Sequence, residues 1–259
     1  MRALRHVLPV LLSCAACAAC DKEPSKLDAI LEASTAPAVT AMGTTTATAQ
    51  APSPPQAPQI VIDDGACAIN GEEILFASPD AAGRIAAALA GKPLVEGQIL
   101  SFEAAREAKT PKIAIAVSAF RRVKAKGAVV HTRMRDTSIG ELPLLLQHGP
   151  LADCSATGMV ARDGAVSVWP LGGGTAQRFV RGLAGPDLTL GSAAVRRLSV
   201  ACDSPTWLLA AADNIPWGLT FDLALAVRGR SDAGSGVRAS QTLLVSPAPV
   251  AGRKVVTGD

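Results

Sequence analysis

Few residues of this chain are of the types that bind metal or carry catalysis. The chain has six Cys and three His, and outside the first twenty residues the only His are His131 and His148. These two lie seventeen residues apart, and no Cys or carboxylate accompanies them at metal-ligand spacing. Structural zinc sites usually take four ligands in local pairs, so we expect no metal site. His131 is predicted to be a half-exposed side chain on a strand.

Motifs for nucleophilic attack and for phosphate binding are also missing. The chain has no G-x-S-x-G turn, and Ser235 lies between two Gly in a Gly-rich loop. Gly172-Gly173-Gly174 lacks the Lys-Ser/Thr that completes a P-loop. We therefore expect no catalytic residues, no enzyme activity and no cofactor. A hydrolase is the least favoured alternative.

Basic side chains cluster at the end of one predicted helix. They are Arg121, Arg122, Lys124 and Lys126, and Arg196-Arg197 form a second group. Favourable charge at a helix carboxyl end and a solvated face are the simplest explanation. The functional alternative is contact with anionic envelope material such as peptidoglycan carboxylates or lipid phosphates.

Overall charge and composition argue against nucleic acid as a partner. The net charge is +3, and setting aside Arg2 and Arg5 of the first twenty residues leaves only +1. A near-neutral body does not attract a polyanion. Aromatic residues make up 3% of the chain, with no Tyr, so bases would find few side chains on which to stack.

The first twenty residues, MRALRHVLPVLLSCAACAAC, have the pattern of an export signal. Arg2 and Arg5 precede a short apolar stretch from Val7 to Leu12, which Pro9 interrupts. That stretch is well short of the ~20 residues that a spanning helix needs, and no later stretch is long enough. We expect residues 1–19 to be a signal peptide.

The end of this segment, Ala18-Ala19-Cys20 followed by Asp21, resembles the lipobox of bacterial lipoproteins. In that family the Cys becomes the lipidated first residue of the mature chain. The resemblance implies a lipid anchor at Cys20, with the folded part in the periplasm of a bacterial envelope. Two alternatives are a box ending at Cys14 and an ordinary cleaved signal in which the Cys have no role.

Three Cys remain beyond the signal: Cys67, Cys154 and Cys202. In an oxidising compartment an unpaired thiol is a liability. Cys154 and Cys202 each lie just ahead of a predicted strand in the same half of the chain, so they are the favoured disulfide. Cys67 would then be a buried, inert thiol.

Residues 20–58 are predicted to be a flexible tether. After one short charged stretch, Ser34–Pro58 contains no charge and is dominated by Ala, Thr and Pro. Such a composition cannot bury enough surface to offset the entropy of ordering. A coil of about 35 residues spans roughly 30–35 Å, so the folded part would lie at a distance from its anchoring membrane.

Two segments after residue 58 show the same order of elements. In 59–148, QIVIDDGACAINGEEILF predicts a hairpin. A helix then begins after SPD, QILSFEA is a strand, a second helix begins after Pro111, and AVVHTRM is a strand. In 154–247 the corresponding stretches are MVARDGAVSVWPL, LTLGSAAVRRLSV, TWLLAAAD, LTFDLALAV and TLLVS. We therefore predict an α+β fold of two tandem small domains.

The second segment resembles the periplasmic domain of the ExbD/TolR biopolymer-transport family. The resemblance rests on Ala212-Asp213-Asn214-Ile215-Pro216-Trp217-Gly218, between a strand and an apolar helix, and on RDGAVSVWP, which is similar to the family's first hairpin. Pro suits the first helical turn, and Asp just before it can accept free amide hydrogens. The aromatic side chain would pack over the sheet edge. Asp213, Pro216, Trp217 and Gly218 are thus the candidate junction residues.

The resemblance implies a role in binding. Family members carry a transmembrane helix with an Asp that takes part in proton flow, and this chain shows no such helix, so we expect no proton translocation. What it implies is self-association, with a homodimer as one form, and contact with envelope partners, including peptidoglycan. The sequence favours a non-catalytic envelope scaffold or binding lipoprotein, accessory to an ExbB/ExbD/TolR-like complex. A peptidoglycan-binding lipoprotein is the alternative.

Overall fold

The computed structural model of the protein describes residues 56–180, 185–229 and 239–257. They belong to one compact unit, Pro52–Asp259. The predicted signal peptide, Cys20 and nearly all of the predicted tether lie outside the described residues. Within the described ranges, every helix is too short or too polar to cross a bilayer.

The first half of the folded chain contains six strands and two helices. In chain order they are β1 (Ile60–Ile62), β2 (Ala66–Ile69), β3 (Glu72–Leu75), α1 (Ala81–Leu89), β4 (Ile99–Ala104), α2 (Thr110–Arg122), β5 (Gly127–Arg133) and β6 (Ile139–Leu145). The order predicted from sequence is present. The predicted hairpin is a three-stranded meander, because both Asp-Asp-Gly and Asn-Gly form turns, and β6 is additional.

The second half repeats this order without an equivalent of β6. Its elements are β7 (Ala156–Val160), β8 (Val166–Pro170), β9 (Gln177–Phe179), α3 (Leu188–Cys202), β10 (Thr206–Ala211), α4 (Trp217–Arg228) and β11 (Gln241–Leu244). The chain is therefore of mixed α and β character, as an α+β fold requires.

All eleven strands belong to one sheet, in the order β3-β2-β1-β4-β5-β6-β11-β10-β7-β8-β9. The first five and the last five have the same topology. In each half the meander is antiparallel, and its first strand pairs in parallel with the strand after the first helix. That strand in turn pairs in parallel with the strand after the second helix.

The two halves share this sheet instead of forming two separate sheets. β6 is the strand that joins them, because it pairs along its length antiparallel to β5 and also pairs in parallel with β11 at Leu144 and Thr242. Ile139–Leu145 contains a Pro and lacks clear alternation of polar and apolar residues, so its sequence did not predict a strand. The division of the chain into two independent sheets is therefore not what the structure shows.

The helices cover one face of the sheet. Leu100, Phe102 and Ala104 of β4 are buried, while the residues between them face away. The apolar side of α2 is buried over the same core, and the rings of Phe102 and Phe120 meet edge to face at 5.3 Å. Strand alternation and helical spacing thus place one continuous core between helices and sheet.

The opposite face differs between the halves. In the second half it is apolar and covered, with a separate core of Met159, Trp169, Leu171, Leu208, Ala210, Leu243 and Val255. Leu151, Val245 and Ala248 pack against this core, so the chain before β7 and the chain after β11 provide the cover. We call the same face of β1, β4, β5 and β6 in the first half the outer face.

Candidate functional site

The predicted junction residues lie between the two halves. Trp217 is fully buried at the start of α4, and its Nε1–H donates to Thr132 Oγ1 of β5 at 2.8 Å. Pro216 is the residue before the helix, and Asp213 is exposed. Trp217 is therefore a core residue, and a direct contact between its ring and a sugar or peptide is excluded by its burial.

Asp213 does not cap α4, contrary to the expectation for the junction. The first two amides of the helix bond to the first half of the chain, Trp217 N–H to Ala108 O at 2.6 Å and Gly218 N–H to Arg106 O at 2.8 Å. The carbonyl oxygens of Ala108 and Arg106 accept hydrogen bonds from the free N–H groups at the helix start, which would otherwise need a side-chain acceptor. The start of α4 in the second half of the chain is thus joined to the first half by main-chain hydrogen bonds.

The junction also has approximate two-fold symmetry. Lys109 immediately precedes α2 and Pro216 immediately precedes α4, and the two residues pair as an antiparallel bridge. Thr110 N–H donates to Ile215 O at 3.0 Å, which mirrors the bond from Trp217 N–H to Ala108 O. The two helix starts therefore meet as equivalent partners.

An ion pair that the sequence analysis did not foresee reinforces this contact. Arg106 donates from Nη1 to Asp222 Oδ1 at 3.0 Å and from Nη2 to Asp222 Oδ2 at 2.7 Å. Both side chains are largely buried, at 17% and 15% exposed. A Cβ at Gly218 would lie 2.8 Å from Arg106 Nε, so the guanidinium occupies the space that Gly218 leaves. No local sequence signal links residues so far apart.

A cavity of about 460 Å³ opens beside this ion pair, at the carboxyl ends of β1, β4 and β5. We call it the strand-end cavity. Ligands of open sheets with parallel strands commonly bind outside the carboxyl ends of the strands. Its charged lining residues are Asp63, Glu103, Arg106, Glu107, His131 and Arg133, and Val61, Met134 and Ile139 supply apolar surface. Sequence reasoning missed this site because its residues come from four separate strands and the chain that follows them.

Carboxylates dominate the charge of the strand-end cavity. Arg106 is neutralised by Asp222. Within the described ranges Glu103 and Glu107 form no ion pair, and Asp63 Oδ1 accepts the amides of Gly65 and Ala66 at 2.7 Å each. The three carboxylates of Asp63, Glu103 and Glu107 outnumber the one other guanidinium of the lining, that of Arg133, so the cavity favours a ligand with a cationic group.

Three polar side chains lie in a row on the outer face next to this cavity. Ser101 Oγ lies 2.8 Å from His131 Nε2, and His131 Nδ1 lies 3.6 Å from Glu141 Oε1. The strand register brings them together, because His131 is directly opposite Glu141 on β6 and Glu103 on β4. The order Ser, His, carboxylate is that of a nucleophilic relay.

The surroundings of Ser101 do not complete such a relay. β4 is paired with a strand on both sides, so its main-chain amides are used in the sheet. An oxyanion hole needs donors aimed at the developing negative charge. The separation of 3.6 Å between His131 and Glu141 also exceeds a hydrogen bond. What the row offers is a set of donors and acceptors on an open surface.

The cysteines are placed as a structural pair and a buried thiol. Cys154 and Cys202 form a disulfide, with Cα atoms 5.4 Å apart. Cys154 lies just before β7, whereas Cys202 is the last residue of α3. Cys67 is a buried free thiol, and burial, with a smaller contribution from the charge of Asp63, raises its pKa to about 12. No group of three metal-ligating side chains occurs in the described ranges.

Comparison with known proteins supplies no relative whose site could be transferred to this chain. No family model, no curated protein and no solved structure matches this chain. The chain's own residues are therefore the basis for a functional proposal.

Proposed function

We propose that this protein is a non-catalytic lipoprotein of a bacterial cell envelope that binds an envelope protein. In this proposal its folded part consists of two ExbD/TolR-like copies joined in one sheet. Support comes from the lipobox-like residues around Cys20 and the junction sequence from Ala212 to Gly218. The equal strand order on both sides of β6 supports the duplication.

The observation that carries the binding role is the difference between the two halves on one face of the sheet. In β10 the outward residues Leu208 and Ala210 are buried under the chain's own terminal segment. The equivalent residues of β4 are Ser101 and Glu103, and both are exposed. The second half covers itself, whereas the outer face of the first half is open and borders the strand-end cavity.

The occupant that fits this surface is a peptide segment with a basic side chain. In the second half the covering chain around Leu151 and after Val245 belongs to no helix or strand, so a segment without regular secondary structure fits over this kind of face. Ile99 and Ile139 are 61% and 68% exposed and offer apolar contact. Glu103 and Glu107 offer partners for a Lys or Arg.

A charge reversal in the strand-end cavity tests the proposal. The full-length lipoprotein is cross-linked in intact cells and purified, and its partners are quantified by mass spectrometry. Glu103→Lys should lose the main partner, and Glu107→Lys should weaken it. Glu72→Lys is the matched control, because Glu72 is an exposed strand carboxylate on the far edge β3. Recovery of the same amount of the main partner with all three variants would defeat the proposal.

Point substitutions are preferable to removing one half of the chain. β6, the junction and the ion pair of Arg106 with Asp222 connect the halves. A deletion would therefore expose core surface and abolish binding for trivial reasons.

Peptidoglycan binding is the second candidate, and the basic residues at the end of α2 favour it. The same purified protein is sedimented with isolated sacculi at increasing salt. Salt-sensitive sedimentation that survives Glu103→Lys would replace the protein-partner proposal by this one. Absence of sedimentation would exclude the peptidoglycan role.

A further inference from the structure

A second cavity, of about 450 Å³, lies on the other side of the molecule between α2, the end of β11 and the chain after β6. We call it the α2 cavity. Its polar lining residues are Ser118, Arg121, Arg122, His148, Ser246 and Thr257. Among the residues that the structure describes, the lining contains two guanidinium groups, an imidazole and three hydroxyls, and no carboxylate. The α2 cavity is separate from the strand-end cavity, so this inference does not depend on the proposed protein partner.

Arg121 supplies the α2 cavity with a positive charge and with free N–H donors. Its Nε–H donates to Leu146 O at 3.1 Å and an Nη2–H donates to Leu244 O at 3.2 Å. Burial lowers the pKa of this guanidinium. Across the ranges that the structure describes, no carboxylate lies within ion-pair distance of it. A guanidinium has five N–H donors, so three remain for another partner.

Favourable charge at the end of a helix does not account for this arrangement. Arg122 fits that explanation, since it is exposed and pairs with Asp80 at 3.2 Å. Arg121 is turned into the protein and held by two carbonyl groups, which carry only partial negative charge. Desolvating a cation without a counter-charge costs free energy. An anionic ligand would supply the missing charge.

The neighbouring groups define which anion fits. His148 Nδ1 lies 2.9 Å from Gly149 O, and because a carbonyl oxygen only accepts, Nδ1 carries the hydrogen. In the neutral ring Nε2 is then an acceptor, which the P–OH of a singly protonated phosphate would donate to. Ser118, Ser246 and Thr257 add hydroxyls. A phosphate group presents several acceptor oxygens in different directions and forms charge-assisted bonds with Arg. The volume leaves room for a substituent on the phosphate.

We propose that the α2 cavity binds a phosphate group through Arg121, with the hydroxyls and His148 completing the site. The phosphate has two chemical sources, a soluble phosphate compound or the headgroup of an anionic phospholipid. Both present the same oxygens to Arg121.

The test uses the full chain purified in detergent. Inorganic phosphate is titrated while the unfolding temperature is followed, with sodium chloride at the same ionic strength as the reference. A ligand that binds the native state raises this temperature in a saturable way. In a second arm, the detergent is removed and the partition of the protein into vesicles of phosphatidylglycerol is compared with its partition into vesicles of phosphatidylcholine, because a lipid anchor at Cys20 contributes to both.

Two variants and one control assign any binding to the cavity. Arg121→Met removes the guanidinium, and Ser118→Leu fills the cavity while keeping Arg121, so it serves if Arg121→Met does not fold. Each should weaken phosphate or vesicle binding about tenfold or more. Arg84→Gln, which changes an exposed Arg on α1, should bind as the unchanged protein does.

The possible results distinguish a soluble phosphate compound from a lipid headgroup, and both from the absence of a phosphate site. Saturable stabilisation by inorganic phosphate that both variants reduce supports a soluble ligand, and stronger partition into phosphatidylglycerol than into phosphatidylcholine vesicles, reduced by both variants, supports a lipid headgroup. Absence of phosphate stabilisation together with equal partition into the two kinds of vesicle would overturn the inference. So would binding that Arg121→Met and Ser118→Leu leave unchanged.

Discussion

At the scale of single residues, the buried contact between Trp217 and Thr132 joins the second half of the chain to the first. Trp217→Phe and Thr132→Val should each lower the free energy of unfolding by about 1–3 kcal/mol, since each leaves a buried polar group without its partner or removes packing. Urea unfolding measures both. The double variant should lose less than the sum of the two, by roughly 1 kcal/mol. Strict additivity would show that the hydrogen bond at 2.8 Å contributes nothing.

Cys67 makes stability depend on pH in the alkaline range. Burial first, and the charge of Asp63 second, raise its pKa to about 12 in the folded protein. The unfolded chain releases this proton near the ordinary thiol value of about 8.5. Between these values the native state holds more protons than the unfolded state, so stability falls as pH rises.

We therefore predict that the free energy of unfolding decreases more steeply from pH 8 to pH 10.5 in the unchanged protein than in Cys67→Ala. Urea unfolding at both pH values gives the comparison, and the difference between the proteins removes the contribution of Lys side chains. The native thiol should also resist modification by an aromatic disulfide reagent at pH 8. Rapid modification, or identical slopes in the two proteins, would contradict the buried placement.

At the scale of elements, the disulfide fixes the start of β7 to the end of α3 across 48 residues of chain. Replacing both residues, in the variant Cys154→Ser with Cys202→Ser, should lower the free energy of unfolding by about 2–4 kcal/mol, because the unfolded chain regains the entropy of an open loop. Reduction of the unchanged protein should cause the same loss. If reduction still changed the stability of the double variant, the stabilisation would come from a group other than this disulfide.

Helices and strands were predicted best where the apolar residues repeat at the spacing of a single type of secondary structure. Ile113, Ala116, Val117 and Phe120 share one side of a helix by spacing, and all four are buried in α2. β6 was missed, because its pairing with both β5 and β11 comes from the whole sheet and leaves little local pattern. Its place in the centre also explains why the halves form one sheet.

Strands β4 and β10 carry a signal that the sequence analysis did not use. ILSFEA alternates and has one open face, whereas TWLLAA is buried at every position. A continuous apolar strand is typical of a sheet covered on both faces, and alternation is typical of one open face. This contrast predicts which half of the chain covers itself.

At the scale of the whole molecule, the junction residues, which the sequence placed only between a strand and a helix, join the two halves. Trp217 and Gly218 bond to Ala108, Arg106 and Thr132, all in the first half. The strand-end cavity and the α2 cavity collect residues from strands and helices far apart in sequence. Among the residues of the two cavities, the basic group at Arg121 and Arg122 was visible in the sequence as a pattern, and the inward orientation of Arg121 depends on the fold.

In the proposed function, the outer face of the first half is a surface kept open for a partner, in contrast to the covered face of the second half. Photo-cross-linking in intact cells tests this most directly, with a photoreactive residue in place of Ile139 at the strand-end cavity or of Val256, which is 83% exposed in the second half. We predict a discrete adduct with one envelope protein from position 139, lost when Glu103→Lys is added, and none from position 256. No adduct at 139, or one that Glu103→Lys leaves unchanged, would contradict the account.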